Sequence, residues 1–219
     1  LSTKKFDPFV SEWVSFAKNP NHNLIEKCLK LAQILEYPEL DIAKYIQKIH
    51  ELGNSLKLKI GVGKNPTYLI SMLNEYLFEE CGFLGNEEDY YDPGNSFLNV
   101  VLDKKTGIPI TLSIIYSEVA KYIGLDLRIV GFPGHIIVKY KDEIILDPFY
   151  HGRLLTIEDL EENLDRNFGE DVEFIPEYLN ESTTEQLLAR LLRNLKNAYT
   201  QSYAYDKAIR CADMILEIQ

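Results

Sequence analysis

A chain of 219 residues can bury one sizeable core, and 46% hydrophobic with 11% aromatic residues is the composition of a folded protein rather than a disordered one. The net charge of −11 excludes nucleic acid as the main partner, because phosphate binding needs a basic footprint. No apolar run approaches the roughly 18 residues that a membrane helix requires.

Other compositional signals point the same way. Cys28, Cys81 and Cys211 are too scattered for a disulfide framework or a zinc site, so a reducing, cytoplasmic setting without metal or cofactor is the expectation. The opening LSTKKFDPFV lacks the basic-then-apolar layout of a signal peptide and starts without Met, as a trimmed chain would.

The first third reads as helices. NLIEKCLKLAQILEY places Leu24, Cys28, Leu31 and Leu35 on one face behind an Asn23 N-cap, which makes Cys28 a small core residue. Asp41 caps IAKYIQKIHELG, with Ile42, Ile46 and Ile49 as its stripe, Gly53 as its end and His50 on the surface. KIGVGKNP is a linker whose GVGK lacks the spacing of a phosphate loop and follows no strand. Asn65 and Pro66 open the next helix, which buries Leu69, Met72, Leu73, Tyr76 and Leu77 and ends at Gly82.

The acidic stretch with Glu87, Glu88, Asp89 and Asp92 lacks the ligand spacing of a calcium loop and reads as a solvated loop, with Ser96 capping a short helix after it. GIPITLSIIYSEVAKYIGL runs from Pro109 to Gly124 and is apolar around so much of its surface that it should be a central, buried helix. Three strands follow in LRIVGF, HIIVKY and EIILDPF, and Thr156 with Asp159 then forms a capping box. The last segment reads as two helices joined near TQSYAY. Ala198, Tyr199, Ala208 and Ala212 carry the spacing of a tetratricopeptide repeat there.

GFPGHIIVKYKDEIILDPF sets a histidine and an aspartate at the ends of a hairpin. Pairing His135 with Asp147 puts Ile136, Val138, Ile144 and Leu146 on one apolar face and Lys139 opposite Glu143 at the turn. A carboxylate beside an imidazole fixes its tautomer, as the base of an acyl-transfer site requires. A structural His–Asp hydrogen bond fits the hairpin equally well. His151 supplies a further residue type for a metal site, but in a turn of unconstrained direction.

The helix entered through Gly-x-x, then GHIIV, then LDPF resembles the transglutaminase-like superfamily, a branch of the papain-like fold. There the motif runs Gly-x-Cys at the helix start, Gly-His-x-x-Val on a strand and Asp-Pro on the next. More closely, the stretch from GFLGNEEDYYDPG to LSIIYSEVA, with GFPGH, DPF and a terminal repeat, resembles the SirB-type branch with appended tetratricopeptide repeats. Related domains occur in some eukaryotic F-box proteins. The resemblance spans roughly residues 24 to 219 and is most specific from Gly82 to Phe149.

The resemblance implies that His135 and Asp147 match the superfamily's histidine and aspartate, and that Pro109 stands where the cysteine should be. Cys81 is a poor substitute, since a thiolate is disfavoured at a helix C-terminus. Thr111, in the first turn after Pro109, and Ser113 are the hydroxyls that a His–Asp pair could activate.

The expected fold is α+β: N-terminal helices over 1–64, a papain/transglutaminase-like core over 65–165, a linker over 166–182 and a repeat-type helical hairpin over 183–219. Two functions are open. One is a non-catalytic module that binds a peptide or protein in the former active-site cleft, lined by Asn95, Asn99 and Pro109. The other is an amide or ester hydrolase, or a transamidase, using Thr111 or Ser113 with His135 and Asp147.

Overall fold

The computed structural model describes residues 7–61, 65–169 and 172–218; Val62, Gly63 and Lys64 of the GVGK segment lie outside them. Asp7 accepts from the Phe9 N–H and Pro8 takes the first helical position, opening α1 (Pro8–Ala17). α2 (Leu24–Leu35) starts at Asn23 in a reciprocal capping box with Glu26, and α3 (Ile42–Lys59) at Asp41. Cys28 is buried, as its stripe predicts.

Gly53 does not end α3. It lies mid-helix against the Tyr122 ring, which occupies the space a Cβ would need, so close packing rather than termination selects the glycine. Exposed His50, one turn earlier, hydrogen-bonds the Tyr122 hydroxyl through Nδ1. α4 (Pro66–Asn74) leaves its Asn65 cap and runs into a π-helical turn (Glu75–Glu80), and the chain reverses at Gly82 with φ 74°.

β1 (Leu84–Gly85) follows. Asp92, rather than Ser96, then provides a cap, because Pro93 starts a 3-10 turn (Pro93–Ser96) in which Ser96 is buried. α5 (Leu98–Lys104) begins after Phe97, and β2 (Thr106–Gly107) pairs parallel with β1. That small pair anchors the entry to α6 (Pro109–Lys121), the central helix, which is buried along nearly its whole length.

β3 (Leu127–Val130), β4 (Ile137–Tyr140), β5 (Ile144–Asp147) and β6 (Arg153–Leu155) form an antiparallel sheet in that order. The β4–β5 register differs from expectation by two residues: Lys139 faces Ile145, not Glu143, and His135 precedes β4. The turn decides this. Lys141 takes φ 51°, and Lys139 reaches Asp142 at 3.0 Å. A two-residue slip preserves the faces, so Ile136, Val138 and Leu146 still enter the main core while Ile137 points to the other side.

α7 (Ile157–Phe168) starts at the Thr156–Asp159 capping box and covers that other side with Leu160 and Leu164. After a 3-10 turn (Pro176–Leu179), the Ser182 N–H donates to the Ile129 carbonyl at 2.9 Å, so this segment lines the free edge of β3. α8 (Thr184–Gln201) and α9 (Tyr205–Ile218) pack together as a hairpin and share one hydrophobic core with α1 and α2. Arg210 meets Asp7 at 2.9 Å, and Tyr199 and Lys207 both reach Glu36 at 2.6 Å, tying the two ends of the chain together. The architecture is the mixed α+β one that the sequence predicts, with the sheet packed on the central helix.

Candidate functional site

Asp147 ends β5, and Pro148 after it bends the chain into a 3-10 turn (Pro148–Tyr150). One carboxylate oxygen, Oδ1, accepts the Phe149 N–H at 3.0 Å. The other, Oδ2, accepts Nε2–H of His135 at 2.7 Å. His135 reaches it from the turn before β4, where Gly134 adopts φ 76° and the His135 N–H donates to the Phe132 carbonyl at 3.0 Å. The side chains are 15% and 5% exposed, so the carboxylate is nearly dry and the imidazole touches solvent. With Nε2 committed to Asp147, the Nδ1 lone pair is the one a ligand could use.

Aromatic rings frame the pair. Phe149 lies edge-on to His135 with centroids 6.4 Å apart, and Tyr150 lies tilted at 6.5 Å. Tyr90, from the acidic loop, is edge-on to Phe149 at 6.2 Å. Burial pushes the Tyr150 phenol up, and the charges of Glu87 and Asp147 add to the effect. Burial also raises Tyr90, against the opposing influence of Arg190. Gly85 on β1 is required here, since a Cβ would stand 2.7 Å from the Phe149 ring.

Pro109 occupies the first position of α6 and is buried. The Thr111 hydroxyl accepts the Ile108 N–H at 3.1 Å and donates to the Asn95 carbonyl at 2.9 Å, so it closes the start of α6. Ser113 Oγ is buried with no hydrogen-bond partner among the described residues. Among those residues no hydroxyl or thiol hydrogen-bonds His135; its partner is Asp147. Cys81 follows the π-helical turn as its C-cap, beside Tyr76.

Asn95 is occupied with holding the acidic loop. Its Nδ2 donates to the Asp89 carbonyl at 2.7 Å and its Oδ1 accepts from Asn86 at 3.0 Å. Asn99 lines a different cavity of about 440 Å³ with Tyr37, Leu40 and Tyr45. His151 stacks on Phe78 at 5.4 Å, and the described residues contain no cluster of three metal-ligating side chains.

The structure thus brings together His135 with Asp147, and Thr111 with the backbone of Asn95, but leaves Asn99 at another cavity. Sequence reasoning did not find Phe149, Tyr150 and Tyr90 at the pair. The aromatic residues in DYYDPG and LDPFY were the available signal, and nothing in the sequence says that those two segments meet.

The sequence profile of the transglutaminase-like superfamily matches residues 43–193. The UPF0162 protein of Xylella fastidiosa (strain 9a5c) is 35% identical over 189 residues, covering 84% of this chain and 67% of its own length. That of Vibrio cholerae is 25% identical over 204 residues, covering 91% and 68%. F-box only protein 21 of Homo sapiens is 30% identical over 147 residues, which are 59% of this chain and 23% of that protein. No solved structure matches at a significant level. Among the described residues no helix is long and apolar enough to cross a membrane.

Proposed function

The chain belongs to the transglutaminase-like superfamily, and from that premise we propose that it is a non-catalytic member that binds a peptide or protein partner around His135 and Asp147. The observation that carries this reading is the company of the imidazole. Its hydrogen bond goes to Asp147 and its neighbours are the Phe149 and Tyr150 rings, while the one hydroxyl in the first turn of α6 spends its proton on a backbone carbonyl. Acyl transfer needs a nucleophile within hydrogen-bond reach of the base. An imidazole held by a carboxylate in an aromatic frame suits a binding cleft, in which Nδ1 accepts a donor and the rings take apolar side chains.

We place the chain in the SirB-type branch, with the core over 65–165 and a tetratricopeptide-like hairpin over 183–219 as a second docking surface. Support comes from Ala198, Tyr199 and Ala208, which are buried where α8 and α9 pack. The aligned stretch is also embedded in a much longer F-box relative, as a module would be. Cys28 and Cys211 are buried thiols that burial pushes up to about 12, which suits a reducing, cytoplasmic setting.

The competing reading is hydrolysis or transamidation through Thr111 or Ser113. A screen of activated esters and amides, run on the protein and on His135→Ala, separates them. No turnover above the variant is expected; turnover that disappears with His135 would overturn the non-catalytic reading.

A further inference from the structure

Next to the turn that carries His135 lies a cavity of about 400 Å³ whose charged lining is Arg190 and Arg193 with Glu177 and Glu181. One wall is the turn that carries His135, through Pro133 and Ile136; the segment lining β3 adds Tyr178 and Ser182; α8 supplies Arg190 and Arg193. The two arginines stand three residues apart, one turn along the same face of α8. Among the described residues neither forms an ion pair or a hydrogen bond, whereas Arg128, Arg153 and Arg210 each have a carboxylate partner. Glu181 on the rim is already taken, by Arg128 at 2.8 Å.

Burial holds the Arg190 guanidinium below the usual arginine range, and the like charge of Arg193 adds to that, with the Tyr90 phenol as a weak counterweight. Arg190 is half-buried and Arg193 exposed, and although Glu177 and Glu181 also line the cavity, neither is paired with them; a guanidinium so placed is stabilised when an anion enters. The size and charge of that anion are constrained. Net charge of −11, with Glu177 also on the rim, repels polyanions. A single planar carboxylate, by contrast, matches the fork of a guanidinium. Tyr90 lies between the two places: its phenol is close enough to Arg190 to feel that charge, and its ring is edge-on to Phe149, the neighbour of His135.

We propose that the Arg190–Arg193 cavity is a carboxylate-binding subsite, which takes the C-terminal or acidic side-chain carboxylate of a peptide whose adjoining residues lie along Tyr90 toward His135. The peptide part of this assignment rests on the binding-module reading above; the carboxylate part rests on the cavity. The two carboxylate sources present the same group, so the probes must tell them apart.

The test is a titration followed through the Arg Nε–H resonances of the intact protein. The probes are N-acetyl-trialanine with a free C-terminus, its carboxamide, an N-acetyl-Ala-Asp-Ala carboxamide, and inorganic phosphate. Saturable shifts of the Arg190 and Arg193 signals are expected with a carboxylate probe and not with the plain carboxamide, and whichever carboxylate probe binds tighter names the source. Loss of a bidentate charged contact predicts at least about tenfold weaker binding in Arg190→Gln and Arg193→Gln, each checked for folding by its thermal melt. Equal shifts from the plain carboxamide, no shift from either carboxylate, or tighter binding of phosphate than of both would overturn the proposal. Because the wild-type resonances carry the result, an unfolded variant does not blur it. Turnover in the ester screen would sink the non-catalytic reading and leave this subsite standing.

Discussion

Asp147 uses both of its carboxylate oxygens, one on the Phe149 backbone and one on His135. The residue is therefore part of the β5 exit as well as part of the site. Thr111 shows the same economy in reverse. A hydroxyl that could have served as a nucleophile is bonded on both sides, to the Ile108 N–H and the Asn95 carbonyl, and is buried. Thr111→Val is expected to lower stability by about 1–2 kcal/mol, the usual effect of orphaning a buried helix-start donor, while Thr111→Ser keeps most of it. Chemical denaturation checks this, and a Thr111→Val variant as stable as the wild type would mean that the hydroxyl is free for other work.

At the scale of elements, residues that make local contacts were legible and residues that make distant ones were not. Asn23, Asn65, Pro109 and Thr156 announce their helices because a cap is a contact within four residues of sequence. β1 and β2 have two residues each and exist only through their pairing, so no periodicity could reveal them. The hairpin faces were legible because parity fixes them, whereas the register was set by the conformation of Lys141. The His135–Asp147 contact survived that slip, since residues two positions off in register are still within reach of long side chains. Gly53 was misread as a terminator because its reason is Tyr122, far along the chain. Gly53→Ala is accordingly expected to destabilise by about 1–3 kcal/mol through overpacking, although alanine has the better helix propensity. A melting temperature at or above that of the wild type would mean that Tyr122 yields to the added methyl and that close packing does not select the glycine.

On the scale of the molecule, the two chain ends are joined through α1 and α9. Burial alone would raise the Asp7 carboxyl, but Arg210 at 2.9 Å and the Phe9 and Val10 N–H groups outweigh it and hold it below its ordinary value of 3.8. A depressed folded value means stability that is present above the unfolded value and lost as pH falls through the folded one. The deficit of Arg210→Met relative to wild type should therefore be constant near neutrality and shrink as the solution is acidified below about pH 4. Urea midpoints of both proteins across that range test it; a deficit independent of pH would remove Asp7 from the tie.

The central claim is that the His135–Asp147 pair serves no nucleophile. It is tested most directly by incubating the protein with an excess of p-nitrophenyl acetate, measuring the intact mass and mapping any acetyl group to its residue. The account predicts no acetyl ester on Thr111 or Ser113, and the same background of surface acetylation in wild type and His135→Ala. An acetyl ester mapped to either hydroxyl in the wild type and absent from His135→Ala would contradict it.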